Sequence, residues 1–87
     1  MNRGIKLADI GDLDRAIADH SKAIEINPKL ELAYTHRGAA YGTKRDYVRA
    51  VADYSKAIEI NRWDAIVYNN RGIAYRVSRH DRLQQGD

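Results

Sequence analysis

The chain has 87 residues, room for one small core and too little for a two-domain enzyme. Its 44% hydrophobic and 31% charged content is that of a chain that folds, and a formal charge of +3, from 15 basic and 12 acidic residues of mixed placement, is a weak nucleic-acid footprint. The lack of cysteine excludes disulfides, thiolate catalysis and iron–sulfur sites, and no apolar run nears the roughly 18–20 residues of a membrane span, so a cytoplasmic, cofactor-free chain is expected.

Taken in chain order, the elements are all helical. A helix over about 1–10 carries Arg3, Gly4 and Leu7. A second, over 13–26, places Leu13, Ala16, Ile17, His20, Ala23 and Ile24 on one face at helical spacing, with Asp12 as its N-cap. Asn27-Pro28 closes it, Asn suiting a left-handed C-terminal position and Pro the first turn of a helix over 29–43. A fourth helix, over 47–60, has Asp46 as its cap and repeats the apolar face as Tyr47, Ala50, Val51, Tyr54, Ala57 and Ile58. The last, over 64–77, starts from Asp64, and the polar stretch 78–87 forms at most a short stub around 81–85. Arg62 stands where the first repeat has Pro28, leaving two outcomes: a turn at Asn61, or a helix running through it and docking on another chain as a domain swap.

These elements repeat. Ser21-Lys22-Ala23-Ile24-Glu25-Ile26-Asn27 returns unchanged 34 residues later as Ser55 to Asn61, and Arg3-Gly4 returns as Arg37-Gly38 and Arg71-Gly72. A fixed period of this length marks stacked helical units, none of which can bury its apolar face alone. The mid-helix glycines Gly4, Gly38 and Gly72 each cost about 1 kcal/mol relative to alanine, a cost explained by close approach of a neighbouring helix.

Arg3, Arg37 and Arg71 precede those glycines, and Asp19 and Asp53 stand 16 residues beyond the first two. Ion pairs of Arg3 with Asp19 and of Arg37 with Asp53 are expected, with Arg15 and Arg49 as competitors. Arg71 is left without a counterpart unless Asp87 or another chain supplies one; the rival reading is a phosphate or carboxylate site built from three arginines. His20, His36 and His80 show no metal-ligand spacing, and Asp12 and Asp14 at a helix start serve capping, so no catalytic or metal site is expected. The five arginines between 62 and 87 read as a solvated tail, leaving a basic nucleic-acid surface as the weakest alternative.

The residues Tyr34, Gly38, Tyr41, Ala50, Tyr54 and Ala57, with Gly4, Leu7, Ala16, His20, Ala23 and Pro28 before them and Tyr68, Gly72 and Tyr75 after, resemble the tetratricopeptide repeat. The resemblance implies an all-α, right-handed array of helix pairs: a partial repeat over 1–30, a second over 31–64, and over 65–87 one helix of a third with a polar tail. It also implies a non-enzymatic module that binds a peptide or partner helix on a concave face lined by the first helix of each pair. Carried over by position, that face holds Asn2, Ile5, Ala8, Asp9, Thr35, His36, Ala39, Thr43, Asn69, Asn70, Ile73 and Arg76. Asn2, His36 and Asn70 occupy the position of an asparagine ladder in the long repeat array of O-linked glycosyltransferases, which the sequence resembles except at His36; solvated or helix–helix contacts are the alternative. The truncated third repeat leaves Tyr68, Tyr75 and Val77 uncovered, and self-assembly through such open ends, as a homodimer or larger, is the rival function.

Overall fold

A computed structural model describes residues 7–84, with side chains from 11 to 80. Within them lie four helices: α1 (Leu7–Ile26), α2 (Glu31–Thr43), α3 (Tyr47–Ile60) and α4 (Ala65–Gln84). Consecutive helices pack on one another, and α2 also touches α4, so that these two lie side by side.

The turns follow from local chemistry. Asp46 caps α3, its carboxylate accepting from the Arg49 amide at 3.3 Å, and Asp64 caps α4 by accepting from the Ile66 amide at 3.1 Å. Asn27 and Asn61 each fold a side-chain turn, their Oδ1 accepting from the amides of Lys29 and Trp63 at 3.1 Å. The same device therefore works with Pro28 or Arg62 after it, and α3 ends at Ile60 in an ordinary turn rather than continuing into α4. Asn27 is not left-handed as expected, Arg45 being the non-glycine residue with positive φ among those described, and Asn61 is extended (φ −138°). Arg45, at φ 69°, makes the sharp turn between α2 and α3.

Three boundary expectations are corrected. The helices expected over 1–10 and 13–26 are not split at Asp12, because α1 runs unbroken from Leu7 to Ile26; residues 1–6 lie outside the described residues. No proline interrupts that stretch, and the helix satisfies its own amides without a cap; Asp12 instead faces Arg15 at 3.9 Å. Pro28 lies in the turn, and α2 starts only at Glu31, behind a Leu30 that offers no side-chain cap. At the other end α4 continues past Ser78 to Gln84 rather than ending in a separate stub, since no glycine or proline stands between Ser78 and Gly86.

The core lies between α2, α3 and α4: Tyr34, Ala50, Tyr54, Ala57, Ile58, Val67 and Ala74 are buried, with Ile24, Tyr41, Tyr47, Val51 and Ile60 packed around them. The Tyr34 hydroxyl donates to the Pro28 carbonyl at 3.1 Å, which lets a buried ring keep its polar tip satisfied. A Cβ at Gly38 would stand 3.0 Å from the Tyr54 ring and 3.2 Å from the Cβ of Asp53, so the glycine is there to let α3 approach. Gly72 has nothing within 4 Å of its Cβ direction, and Gly4 lies outside the described residues.

Candidate functional site

The side-by-side placement of α2 and α4 over α3 leaves a groove of about 390 Å³. Ala39, Gly42 and Thr43 form its α2 wall, Asn70, Ile73, Ala74 and Val77 its α4 wall, and Tyr47 and Tyr54 from α3 its floor. The lining is chiefly apolar, with the Asn70 amide and the Thr43 hydroxyl as polar groups; that hydroxyl already donates to the Ala39 carbonyl at 3.0 Å. Burial pushes the Tyr54 phenol above its ordinary pKa, with the nearby Asp53 charge adding to it, so that phenol stays neutral.

One ion pair fastens the α2 wall to α3, the helix of the floor. The Nε and Nη2 of Arg37 donate to the two oxygens of Asp53, each at 2.8 Å, and Nη1 donates to the Ser21 hydroxyl at 3.0 Å. Arg37 thereby ties α2 to both α1 and α3, and the hydrogen bond to Asp53 raises its pKa further. The guanidinium also lies 5.8 and 5.9 Å from the Tyr34 and Tyr41 ring centres. This is the pair expected from the 16-residue spacing. The expected competitors are occupied elsewhere: Arg49 bonds Asp46 at 2.6 Å, and Arg15 faces Asp12. Arg3 lies outside the described residues.

A second groove, of about 420 Å³, runs between α1 and α2 and is lined by Leu13, His20, Thr35, His36, Ala39, Ala40 and Thr43. The rings of His20 and His36 meet edge to face with centres 5.5 Å apart, so His20 packs as an aromatic residue. Shifted by 34 residues, this lining becomes Tyr47, Tyr54, Asn69, Asn70, Ile73, Ala74 and Val77. All but Asn69 line the first groove, whose α2 wall has no counterpart in the second among the described residues.

Of the binding residues expected from sequence, Ala39, Thr43, Asn70 and Ile73 come together in the first groove, and Thr35 and His36 join Ala39 and Thr43 in the second. Asn69 and Arg76 are exposed and line neither. Asn2 and Ile5 lie outside the described residues, as do the side chains of Ala8 and Asp9. Tyr68 and Tyr75 are 42% and 55% exposed on α4, while Val77, expected at the open end, faces the groove. Gly42, Tyr47, Tyr54 and Ala74 were not expected there; Tyr47 and Tyr54 read as core, and their images Leu13 and His20 are the signal that marks them as floor.

At the end of α2 nearest the turns, Glu31 accepts from the Asn61 side chain at 3.4 Å and meets Asp64. The hydrogen bond with Asp64, then burial, raises the Glu31 pKa. Among the described residues no group of three or more His, Asp or Glu side chains is placed to hold a metal ion, and no helix is long and apolar enough to cross a membrane.

A family model described as TPR repeat matches residues 4–44, and a second, described as tetratricopeptide repeat, matches residues 32–64. No solved structure matches the chain significantly.

Proposed function

Because the chain belongs to the tetratricopeptide repeat family, whose members are generally protein-interaction modules, we propose that it binds an extended peptide or partner helix in the groove between α2 and α4. The observation that carries this reading is the lining of that groove, an apolar trough of Ala39, Ile73, Ala74 and Val77 with one half-buried amide, Asn70, beside it. Such a surface takes apolar side chains of a ligand, and a carboxamide donates to and accepts from peptide backbone at once. Nothing in the lining is charged, so the ligand is held by shape and backbone contact rather than by its net charge. Catalysis has no role in this reading.

The experiment is a screen of the purified chain against a library of short peptides, with binders repeated on Ile73→Asp and Asn70→Ala. A charge in the trough is expected to abolish capture, and loss of the amide to weaken it by roughly 5- to 10-fold, the weight of one or two hydrogen bonds. Arg76→Ala, outside the lining, leaves capture unchanged. Equal binding by Ile73→Asp and the parent chain would reject the groove.

A further inference from the structure

The two ends of the array expose half-sites that match each other. In the middle of the chain the Arg37 guanidinium is fully used, donating to Ser21 on α1 with one edge and to Asp53 on α3 with the other. Arg71 on α4 repeats the first half of that arrangement. Its Nη1 donates to Ser55 at 3.1 Å, and the Tyr68 and Tyr75 rings lie 5.6 and 6.0 Å away. No carboxylate among the described residues takes its other edge. Gly72, the image of Gly38, stands open, and Tyr68 remains 42% exposed where its image Tyr34 is 7% exposed.

The opposite end has the complementary deficit. Asp53 is 5% exposed and doubly bonded, whereas its image Asp19 on α1 is exposed and pairs with no cation among the described residues. Ala50, Tyr54, Ala57 and Ile58 are buried, while their images Ala16, His20, Ala23 and Ile24 are only half-buried. Among the described residues, the groove between α1 and α2 has no wall matching the one that α2 gives to its image. α1 runs straight through Gly11, and no described residue covers that face. Among the described residues, then, nothing at the α4 end offers Arg71 an aspartate, and nothing at the α1 end offers Asp19 an arginine.

We propose that α4 of one copy packs on α1 of a second copy as α2 packs on α3 within the chain. Arg71 forks onto the partner's Asp19, and the partner's His20 seats against Gly72. One contact satisfies both ends, which a segment of the same chain folding over either end alone does not. The two surfaces are different, so the contact is head-to-tail, and each copy added presents the same free ends again. This surface is separate from the α2–α4 groove, and its test does not depend on peptide binding.

Light scattering across a micromolar to millimolar series, on the full chain, reads the assembly. The mass of the parent chain is expected to climb above the 9.9 kDa of one copy as concentration rises. Asp19→Arg and Arg71→Asp are each expected to weaken association on the order of 100-fold, the effect of placing like charges at a desolvated pair. An equimolar mixture of the two, and a chain carrying both changes, are expected to regain it, because every junction again joins opposite charges. That recovery separates the pairing from mere misfolding of a single variant. A mass held at 9.9 kDa throughout, as when Asp87 or residues before Leu7 of the same chain cover these faces, would overturn the proposal. So would association indifferent to either reversal, or a mixture that fails to recover.

Discussion

Replacing Arg37 by alanine tests the energetic centre of the fold. Asp53 is 5% exposed, and both its oxygens are held by that one guanidinium at 2.8 Å, so the change strands a buried carboxylate. Breaking a fully buried ion pair costs about 3–5 kcal/mol, but the Arg37 side chain is itself 20% exposed and water can enter behind it, which lowers the figure to about 2–3 kcal/mol. Loss of the contacts with Tyr34 and Tyr41 adds about 0.5–1 kcal/mol. A total near 3 kcal/mol is a large fraction of the roughly 4–13 kcal/mol expected for a chain of this length, and corresponds to a Tm lowered by roughly 10–20 °C. Arg71→Ala is the internal control. That residue has the same repeat position but, among the described residues, holds only the Ser55 hydroxyl and two exposed tyrosines, so about 0.5 kcal/mol is expected. Urea unfolding followed by circular dichroism, at a dilution that suppresses association, gives both values. Equal costs for the two, or less than about 1 kcal/mol for Arg37→Ala, would refute the assignment of stability to the buried pair.

The glycines give a second paired comparison. Gly38→Ala drives a methyl into the Tyr54 ring and should cost about 1–3 kcal/mol, whereas Gly72→Ala enters open space in a helix and should gain up to about 1 kcal/mol, both read from melts of the monomer. Gly11→Ala should likewise raise the melting temperature, because α1 is helical there and nothing lies within 4 Å; a fall would instead place a left-handed turn at Gly11. Glu31, whose folded pKa is raised by Asp64 and by burial, binds its proton more tightly folded than unfolded. Its contribution is therefore fully present below the unfolded value of 4.5 and is lost as pH rises through the folded value. Glu31→Gln should be more stable than the parent at neutral pH and indistinguishable from it in acid, and a difference that grows on acidification would contradict the Glu31–Asp64 contact.

The 34-residue period made most of the fold legible, because each position can be compared with its image. The bounds of α3 followed from Asp46 and Asn61, two side chains that act on their own backbone and need no neighbour. The Arg37–Asp53 pair followed from a 16-residue spacing that occurs twice. What failed was the transfer of a local signal to a place where tertiary packing is missing. Gly11-Asp12 has the chemistry of the Arg45-Asp46 turn, and better chemistry for a left-handed residue, yet α1 runs straight through it. A turn between two helices is stabilised by the burial that follows when they fold together, and at α1 the described residues show that burial unmade, with Asp19 exposed and Ala16, His20 and Ala23 half-buried. The groove was legible for the same reason that it was imprecise. Ala39, Thr43, Asn70 and Ile73 were placed by offset, but on a helix one residue is a turn of about 100°, enough to carry Asn69 and Arg76 out of the lining and Val77 into it. Identical repeat positions thus have different surroundings at the two ends and in the middle. That difference, rather than the repeat itself, singles out Asp19 and Arg71, which among the described residues lack the ion partner that their images Asp53 and Arg37 have.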